Sequence, residues 1–191
     1  CTNCIKRCPT EAIRVHDGKA TIMKSRCIDC GECIRACPHS AKRAVTDDFE
    51  MIKQFKYRVA LPAPALYSQY RTARSRNHFL TALKKLGFDD VFEVAVGAEA
   101  VSEATRDCPA ILRLIQVKFP NLLDNLLPLQ APVEVAAGMA RKKAVKKSGI
   151  HPRNIGIFFI TPCAAKMYTK YHPLKGDTSD IDGIISFQDI Y

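Results

Sequence analysis

The sequence predicts two unlike domains in succession, a small α+β domain over residues 1–48 and an α/β domain over residues 49–191. Three observations carry that reading. A chain of 191 residues with 47% hydrophobic and 25% charged residues can bury one or two real cores, which excludes disordered, collagenous and coiled-coil classes. Seven of its nine cysteines fall within the first 37 residues, and the other two stand alone at positions 108 and 163. From about Asp48 onward, short apolar runs alternate with amphipathic stretches at helical spacing, the pattern of an α/β domain. The longest apolar runs, such as Ile157 to Ile160, fall far short of the roughly 20 residues needed to span a bilayer. The crowding of cysteines at one end points to metal, because a disulfide scaffold spreads its cysteines through the fold it staples. The compartment expected from this usage is the reducing cytoplasm.

The first element is the metal motif itself. Cys27-x2-Cys30-x2-Cys33-x3-Cys37-Pro38 is the spacing by which a loop and one helical turn wrap three thiolates around an iron–sulfur cubane while the fourth cysteine serves a second cluster. Cys1, Cys4 and Cys8-Pro9 are the same motif displaced by 29 residues, and the register places a further cysteine three positions before Cys1. The chain is therefore read as beginning inside the motif. After each Cys-Pro the pattern continues in parallel, as Thr10-Glu11-Ala12 and as His39-Ser40-Ala41, which indicates an internal duplication. Between the copies, Ile13, Val15, the Asp17-Gly18 pair, Ala20 and Ile22 alternate as a hairpin does. Cys-x2-Cys pairs also make zinc sites, but zinc ribbons do not interlock two cysteine runs each closed by Cys-Pro. This segment resembles the bacterial dicluster ferredoxin domain over residues 1 to about 46. That resemblance implies two [4Fe-4S] clusters, one held by Cys8, Cys27, Cys30 and Cys33, the other by Cys1, Cys4, Cys37 and the expected upstream cysteine, with one-electron transfer as their function.

In the larger domain, Arg58 to Leu61 reads as a buried strand and His78 to Leu86 as an amphipathic helix closed by Gly87. Val91 to Val96 reads as a second strand and Ala98 to Arg106 as a helix. Ile111 to Val117 and Val133 to Lys147 read as further helices, the latter stopped by Ser148-Gly149. Ile155 to Ile160 is the most strand-like run, and Gly183 to Ser186 a shorter one. Both lone cysteines precede apolar helical stretches: Asp107-Cys108-Pro109, where Asp can cap and Pro suits the first turn, and Thr161-Pro162-Cys163. Free amides and positive potential at a helix N-terminus lower a thiol's pKa and suit an anionic cluster. From the residues alone, a buried free cysteine is the better reading of either position. The five histidines are scattered singly, and Tyr67, Tyr70, Arg71, Arg74 and Arg76 read as an exposed helix or loop. Residues 51–150 hold sixteen basic against eight acidic residues, and the densest run lies at 141–147. It reads first as a solvated helix face, and otherwise as a docking patch for an acidic electron carrier. No aromatic side chains interleave with it, so nucleic acid is not an expected partner.

Several of these stretches together are similar to the [FeFe]-hydrogenase catalytic domain, of which they would form the first half. They are Val59-Ala60-Leu61-Pro62-Ala63-Pro64-Ala65, the run from Leu83 to Phe92, Gly97-Ala98-Glu99, Cys108-Pro109-Ala110, Phe119-Pro120-Asn121-Leu122-Leu123, Ala131-Pro132 and Thr161-Pro162-Cys163-Ala164-Ala165-Lys166. The resemblance implies that Cys108 and Cys163 are two of the four cysteines that hold the cubane of the active-site H-cluster. Lys166 would contact a cyanide of its diiron unit, and Ala63, Pro64 and Ala65 would line the diiron pocket. The other two cysteines are expected in a third motif beyond Tyr191, so an H-cluster is expected only in the complete protein and the 191 residues alone are expected to be inactive. Asp107 stands where the family has a proton-relaying cysteine, Thr169 where it has a glutamate, and Thr161 where it has a methionine. These departures resemble the sensory branch of the family, which couples such domains to signalling modules. The leading reading is a hydrogenase-type redox protein that reduces protons reversibly to H2 with a ferredoxin or acidic redox protein as electron partner. A slow or non-catalytic hydrogen or redox sensor is the alternative, and a ferredoxin module fused to an unrelated α/β domain the third.

Overall fold

A computed structural model describes residues 1–69, 75–100, 108–125, 130–169 and 179–190. Along the chain the elements are α1 (Asn3–Lys6), β1 (Ile13–His16), β2 (Lys19–Ile22), α2 (Glu32–Arg35), β3 (Tyr57–Pro62), α3 (Leu66–Gln69), α4 (Arg76–Lys85), β4 (Asp90–Val91), α5 (Val94–Ala100), α6 (Pro109–Lys118), α7 (Pro132–Ser148), β5 (Ile155–Thr161), α8 (Ala164–Thr169) and β6 (Gly183–Ser186). They form two compact units that are discontinuous in sequence. One gathers Cys1–Val45, Cys108–Leu127 and Cys163–Tyr171, the other Thr46–Asp107, Pro128–Pro162 and His172–Tyr191. Both lone cysteines thus belong to the same unit as the cysteine-rich segment.

In the first unit, β1 and β2 make the antiparallel hairpin read from Asp17-Gly18, with Ile13 paired to Ile22 and His16 to Lys19. Asp17 and Gly18 both take positive φ, 49° and 74°, as a two-residue turn of matching twist requires. Ile13 is buried while Arg14, Val15 and His16 are exposed, so the hairpin has little core of its own. α6 and α8 pack against one another in this unit.

The second unit is built on a parallel sheet of order β4-β3-β5-β6. β5 is central and every one of its residues is buried, which is why it reads as an unbroken apolar run rather than an alternating one. Ala60, Phe158, Ile160 and Ile185 from the sheet meet Ile52, Leu66, Leu83 and Phe88 in one core. Asp47 extends the β6 edge, its N–H donating to Ile184 O and its carboxylate accepting from Ile184 N. α7 turns a face of Ala136, Ala137, Ala140 and Ala144 inward. α5 crosses it at Gly97, where a Cβ would stand 2.5 Å from Pro132 O and 2.7 Å from Ala136 Cβ. Gly149 closes α7 in the left-handed conformation.

Three expectations are corrected. The strand expected over Val91 to Val96 ends at Val91, with Phe92 N–H still reaching Ala60 O, and Val94–Ala100 is helix. The β-branched residues favour a strand, but packing of Gly97 against α7 decides the outcome. The helix expected over Ala98 to Arg106 accordingly begins at Val94, and its positions 101–106 lie outside the described residues. Finally, the basic run at 141–147 is not a simple solvated face. Arg141 donates to Pro152 O, Ile155 O, Asp180 O and the Asp182 carboxylate, Lys147 pairs with Asp90 at 2.8 Å, and Lys143 lies over the Phe92 ring.

Candidate metal centre

The duplication read from the cysteines is repeated in the backbone. α1 and α2 begin and end 29 residues apart. So do the bonds that close them: Arg7 N–H to Asn3 O matches Ala36 N–H to Glu32 O, and Cys8 N–H to Ile5 O matches Cys37 N–H to Ile34 O. Beyond each Cys-Pro, Glu11 and Ser40 take left-handed φ values of 53° and 49°. That turn aims the Ala12 N–H at Cys8 Sγ at 3.2 Å and the Ala41 N–H at Cys37 Sγ at 3.3 Å. Burial pushes the Cys8 thiol up, yet the amides of Thr10, Ala12 and Ile13 outweigh it and hold the group below its ordinary value. The amides of Ala41 and His39 lower Cys37 likewise. The signal was present in the sequence as the parallel Thr10-Glu11-Ala12 and His39-Ser40-Ala41 stretches.

The other cysteines respond to one another. Burial pushes the Cys27 thiol up to about 11, with the Asp29 carboxylate and Cys33 adding to the rise. Cys33 is pushed up first by burial and then by the charges of Cys30 and Cys8. Cys33 is thus coupled electrostatically to Cys8, Cys27 and Cys30, and burial with that mutual repulsion disfavours free thiolates at Cys27 and Cys33. Among the described residues, no group of three His, Cys, Asp or Glu side chains is arranged to hold a single metal ion.

Cys108 is the N-cap of α6, its carbonyl accepting from Ile111 and Leu112, with Pro109 in the first turn. Asp107, expected to cap, lies outside the described residues. Cys163 holds the equivalent place before α8, its carbonyl accepting from Met167 N–H. Both thiols are half-buried. Lys166 is one turn further along α8, half-buried and engaged in an interaction. Ala63, Pro64 and Ala65 leave the carboxyl end of β3, with Ala63 buried, Pro64 and Ala65 exposed, and Ala63 N–H donating to Ile160 O. Ala63 O accepts from Leu66 and Pro64 O from Tyr67, which folds the loop directly into α3. Sequence reasoning missed Tyr67: it is half-buried and donates to Glu93 at 2.7 Å, with burial and that carboxylate holding its phenol protonated. Tyr70, Arg71, Arg74 and the side chain of Thr169 lie outside what is described.

A duplicated cysteine-turn unit, together with a parallel α/β unit, defines an iron–sulfur redox protein. The chain belongs to the iron-only hydrogenase family: the family model for the iron only hydrogenase large subunit, C-terminal domain, matches residues 56–191, and that for the 4Fe-4S dicluster domain matches residues 1–42. Iron hydrogenase 1 of Clostridium pasteurianum is 27% identical over 130 residues, covering 58% of this chain and 23% of its own length. The NADP-reducing hydrogenase subunit of Solidesulfovibrio fructosivorans is 22% identical over 86% of this chain and 34% of its own, and the periplasmic [Fe] hydrogenase large subunit of Nitratidesulfovibrio vulgaris 26% identical over 69% and 38%. The chain thus spans less than two-fifths of the length of each of these relatives. A variant of the [FeFe]-hydrogenase of Chlamydomonas reinhardtii shares the fold, with a TM-score of 0.58 at 20% identity over 72% of this chain and 43% of its own. No helix among the described residues is long and apolar enough to cross a membrane.

Proposed function

We propose that this chain carries electrons through two [4Fe-4S] clusters to or from a hydrogen-active site, as part of a protein that interconverts protons and H2. The observation that carries the reading is the pair of cysteine turns repeated at 29 residues, with Cys8, Cys27, Cys30 and Cys33 linked electrostatically. Those four would hold one cluster, and Cys1, Cys4 and Cys37 would serve the second. The clusters supply one-electron storage at low potential. The protein's own part is to present thiolates, which the Ala12 and Ala41 amides favour at Cys8 and Cys37, and to keep all of them but Cys1 and Cys30 half-buried.

At the α/β end, Cys108 and Cys163 would be two ligands of the H-cluster cubane, with Lys166 and the Ala63–Ala65 loop beside its diiron unit. An H-cluster, where bound, supplies the site at which protons and electrons combine. Ferredoxins or acidic redox proteins suit the role of electron partner, and a reducing cytoplasm suits thiolates kept available for iron. Asp107 and Thr169 favour a second reading, a slow sensory protein, because both replace groups that would pass protons.

The test of the leading reading is anaerobic reconstitution of the 191-residue protein with iron and sulfide. Reduced samples should give a [4Fe-4S] electron paramagnetic resonance signal that Cys30→Ser weakens. A protein that stays colourless and takes up zinc stoichiometrically overturns it.

A further inference from the structure

We infer that the groove between α1 and α2 is the docking site for the acidic face of a one-electron carrier protein. The proposal rests on the reading of residues 1–42 as a cluster-binding unit and names the surface by which that unit meets its partner. The groove encloses about 310 Å³ and is lined by Asn3, Lys6 and Arg7 from one copy of the duplication and Glu32, Arg35 and Ala36 from the other. These are three pairs at the same 29-residue offset, so the groove lies on the internal symmetry of the unit. Its single carboxylate is already taken: Arg35 grips Glu32 through Nε at 2.9 Å and Nη2 at 2.8 Å, and Arg7 adds to the field that keeps Glu32 ionised. Lys6 and Arg7 are exposed, and no ion pair among the described residues joins either of them. The concavity therefore presents uncompensated positive charge.

The partner's chemistry follows from that charge and from what lies beside it. α1 carries Cys4 and α2 carries Cys33, and each is followed two residues after its end by a further cysteine, Cys8 and Cys37. Carboxylates seated against Lys6 and Arg7 would bring a carrier's redox centre alongside helices that hold cluster ligands. No aromatic side chain lines the groove, as stacking on nucleotide bases would require. The basic run of α7 is the weaker candidate, because Arg141, Lys143 and Lys147 already engage groups of their own unit. In the transfer itself one electron leaves the carrier's reduced centre, which is oxidised, and enters an oxidised [4Fe-4S] cluster, which is reduced. No bond forms and no proton moves.

The experiment uses the reconstituted 191-residue protein and, as probe, an acidic plant-type [2Fe-2S] ferredoxin reduced beforehand, with transfer followed by stopped-flow absorbance. Steering by complementary charge is worth tenfold or more in association rate at low salt, so Lys6→Glu with Arg7→Glu should lower the second-order rate constant by about tenfold and flatten its salt dependence. Lys6→Gln with Arg7→Gln should fall between this variant and the parent. Lys142→Glu with Lys146→Glu, on the exposed face of α7, should stay within about twofold of the parent. Reduction by a cationic viologen should not be slowed by any of them. If the groove variants keep their clusters and react with ferredoxin at the parent rate, or if the α7 variant alone is slowed, the docking proposal is overturned. A parent protein that binds no cluster overturns the iron–sulfur reading itself, and this proposal with it.

Discussion

Gly31 follows the ligand candidate Cys30, and Ala164 follows Cys163; within their unit a Cβ at position 31 would stand 3.0 Å from Ala164 Cβ. Gly31→Ala therefore meets two penalties. Its φ of 77° is left-handed, which costs a non-glycine residue about 1–2 kcal/mol. The added methyl also crowds Ala164, and overpacking of this kind costs about 1 kcal/mol or more. Gly18 separates the two effects, because it has nearly the same φ, 74°, but nothing within 4 Å of its would-be Cβ. Gly18→Ala should show the conformational cost alone. Cluster release makes unfolding irreversible, so the quantity to compare is the half-life of cluster bleaching in a fixed concentration of guanidinium chloride. A penalty of about 1.4 kcal/mol that falls on the unfolding barrier is about tenfold in that rate. Gly31→Ala should bleach faster than Gly18→Ala by up to about tenfold, and adding Ala164→Gly to Gly31→Ala should recover part of the loss beyond what the single changes sum to. Equal half-lives for the two alanine variants, with no recovery from Ala164→Gly, would refute the contact and with it the link between the cysteine-rich loop and the start of α8.

Gly156→Ala should destabilise the α/β unit by about 1–3 kcal/mol and lower its melting midpoint by several degrees in circular dichroism, because the new Cβ would stand 2.5 Å from the Phe158 ring and 2.6 Å from Phe55 inside the central strand's packing; an unchanged midpoint contradicts that packing. Burial raises the Asp90 carboxyl, but Lys147 and the Val91 amide outweigh it and hold the group below its ordinary value. The pair's stabilisation is then present above the unfolded carboxyl pKa and lost as pH falls through the lower folded value. Lys147→Ala should lower stability slightly at neutral pH, with the difference from the parent vanishing in acid; a difference constant with pH would show that the pair contributes nothing.

What the sequence made legible depended on how local the cause was. The hairpin at Asp17-Gly18, the closure of α7 by Ser148-Gly149 and the strand at Gly183–Ser186 each follow from turn chemistry or a short apolar run, and each was found. The duplicated cysteine turns were legible because metal-ligand spacing is local too. What was missed is tertiary. Val94 to Ala100 is helix because Gly97 fits against α7, a contact no window of residues contains. Arg141 was counted as surface charge, whereas its guanidinium ties three separate backbone carbonyls and the Asp182 carboxylate together. Tyr67 was read as exposed because its partner, Glu93, is 26 residues away. The gathering of residues 108–127 and 163–171 with the N-terminal segment likewise lies beyond linear reading.

The hydrogen turnover proposed for the complete protein would depend on protons as much as on clusters. Delivery to a buried metal site needs a series of groups that both give and accept a proton, each within hydrogen-bond reach of the next. A thiol keeps its proton near neutral pH and can pass it on, whereas a carboxylic acid of ordinary pKa is already ionised there and has none to give. By its resemblance, this chain has Asp107 where the family has that thiol, and Thr169, which does not titrate, where it has a glutamate. Losing one positioned acid–base group costs roughly 10²–10⁴-fold in comparable steps, so turnover in the full-length protein should sit well below that of fast members while hydrogen binding and cluster redox chemistry persist, as a sensor requires. Asp107→Cys combined with Thr169→Glu in the full-length protein should raise hydrogen evolution by at least about tenfold, with each single change doing less, because one repaired step leaves the other open. If the unmodified protein already matches fast enzymes, or if the double change leaves a slow one no faster, the relay is not what limits it and the sensory reading loses its physical ground.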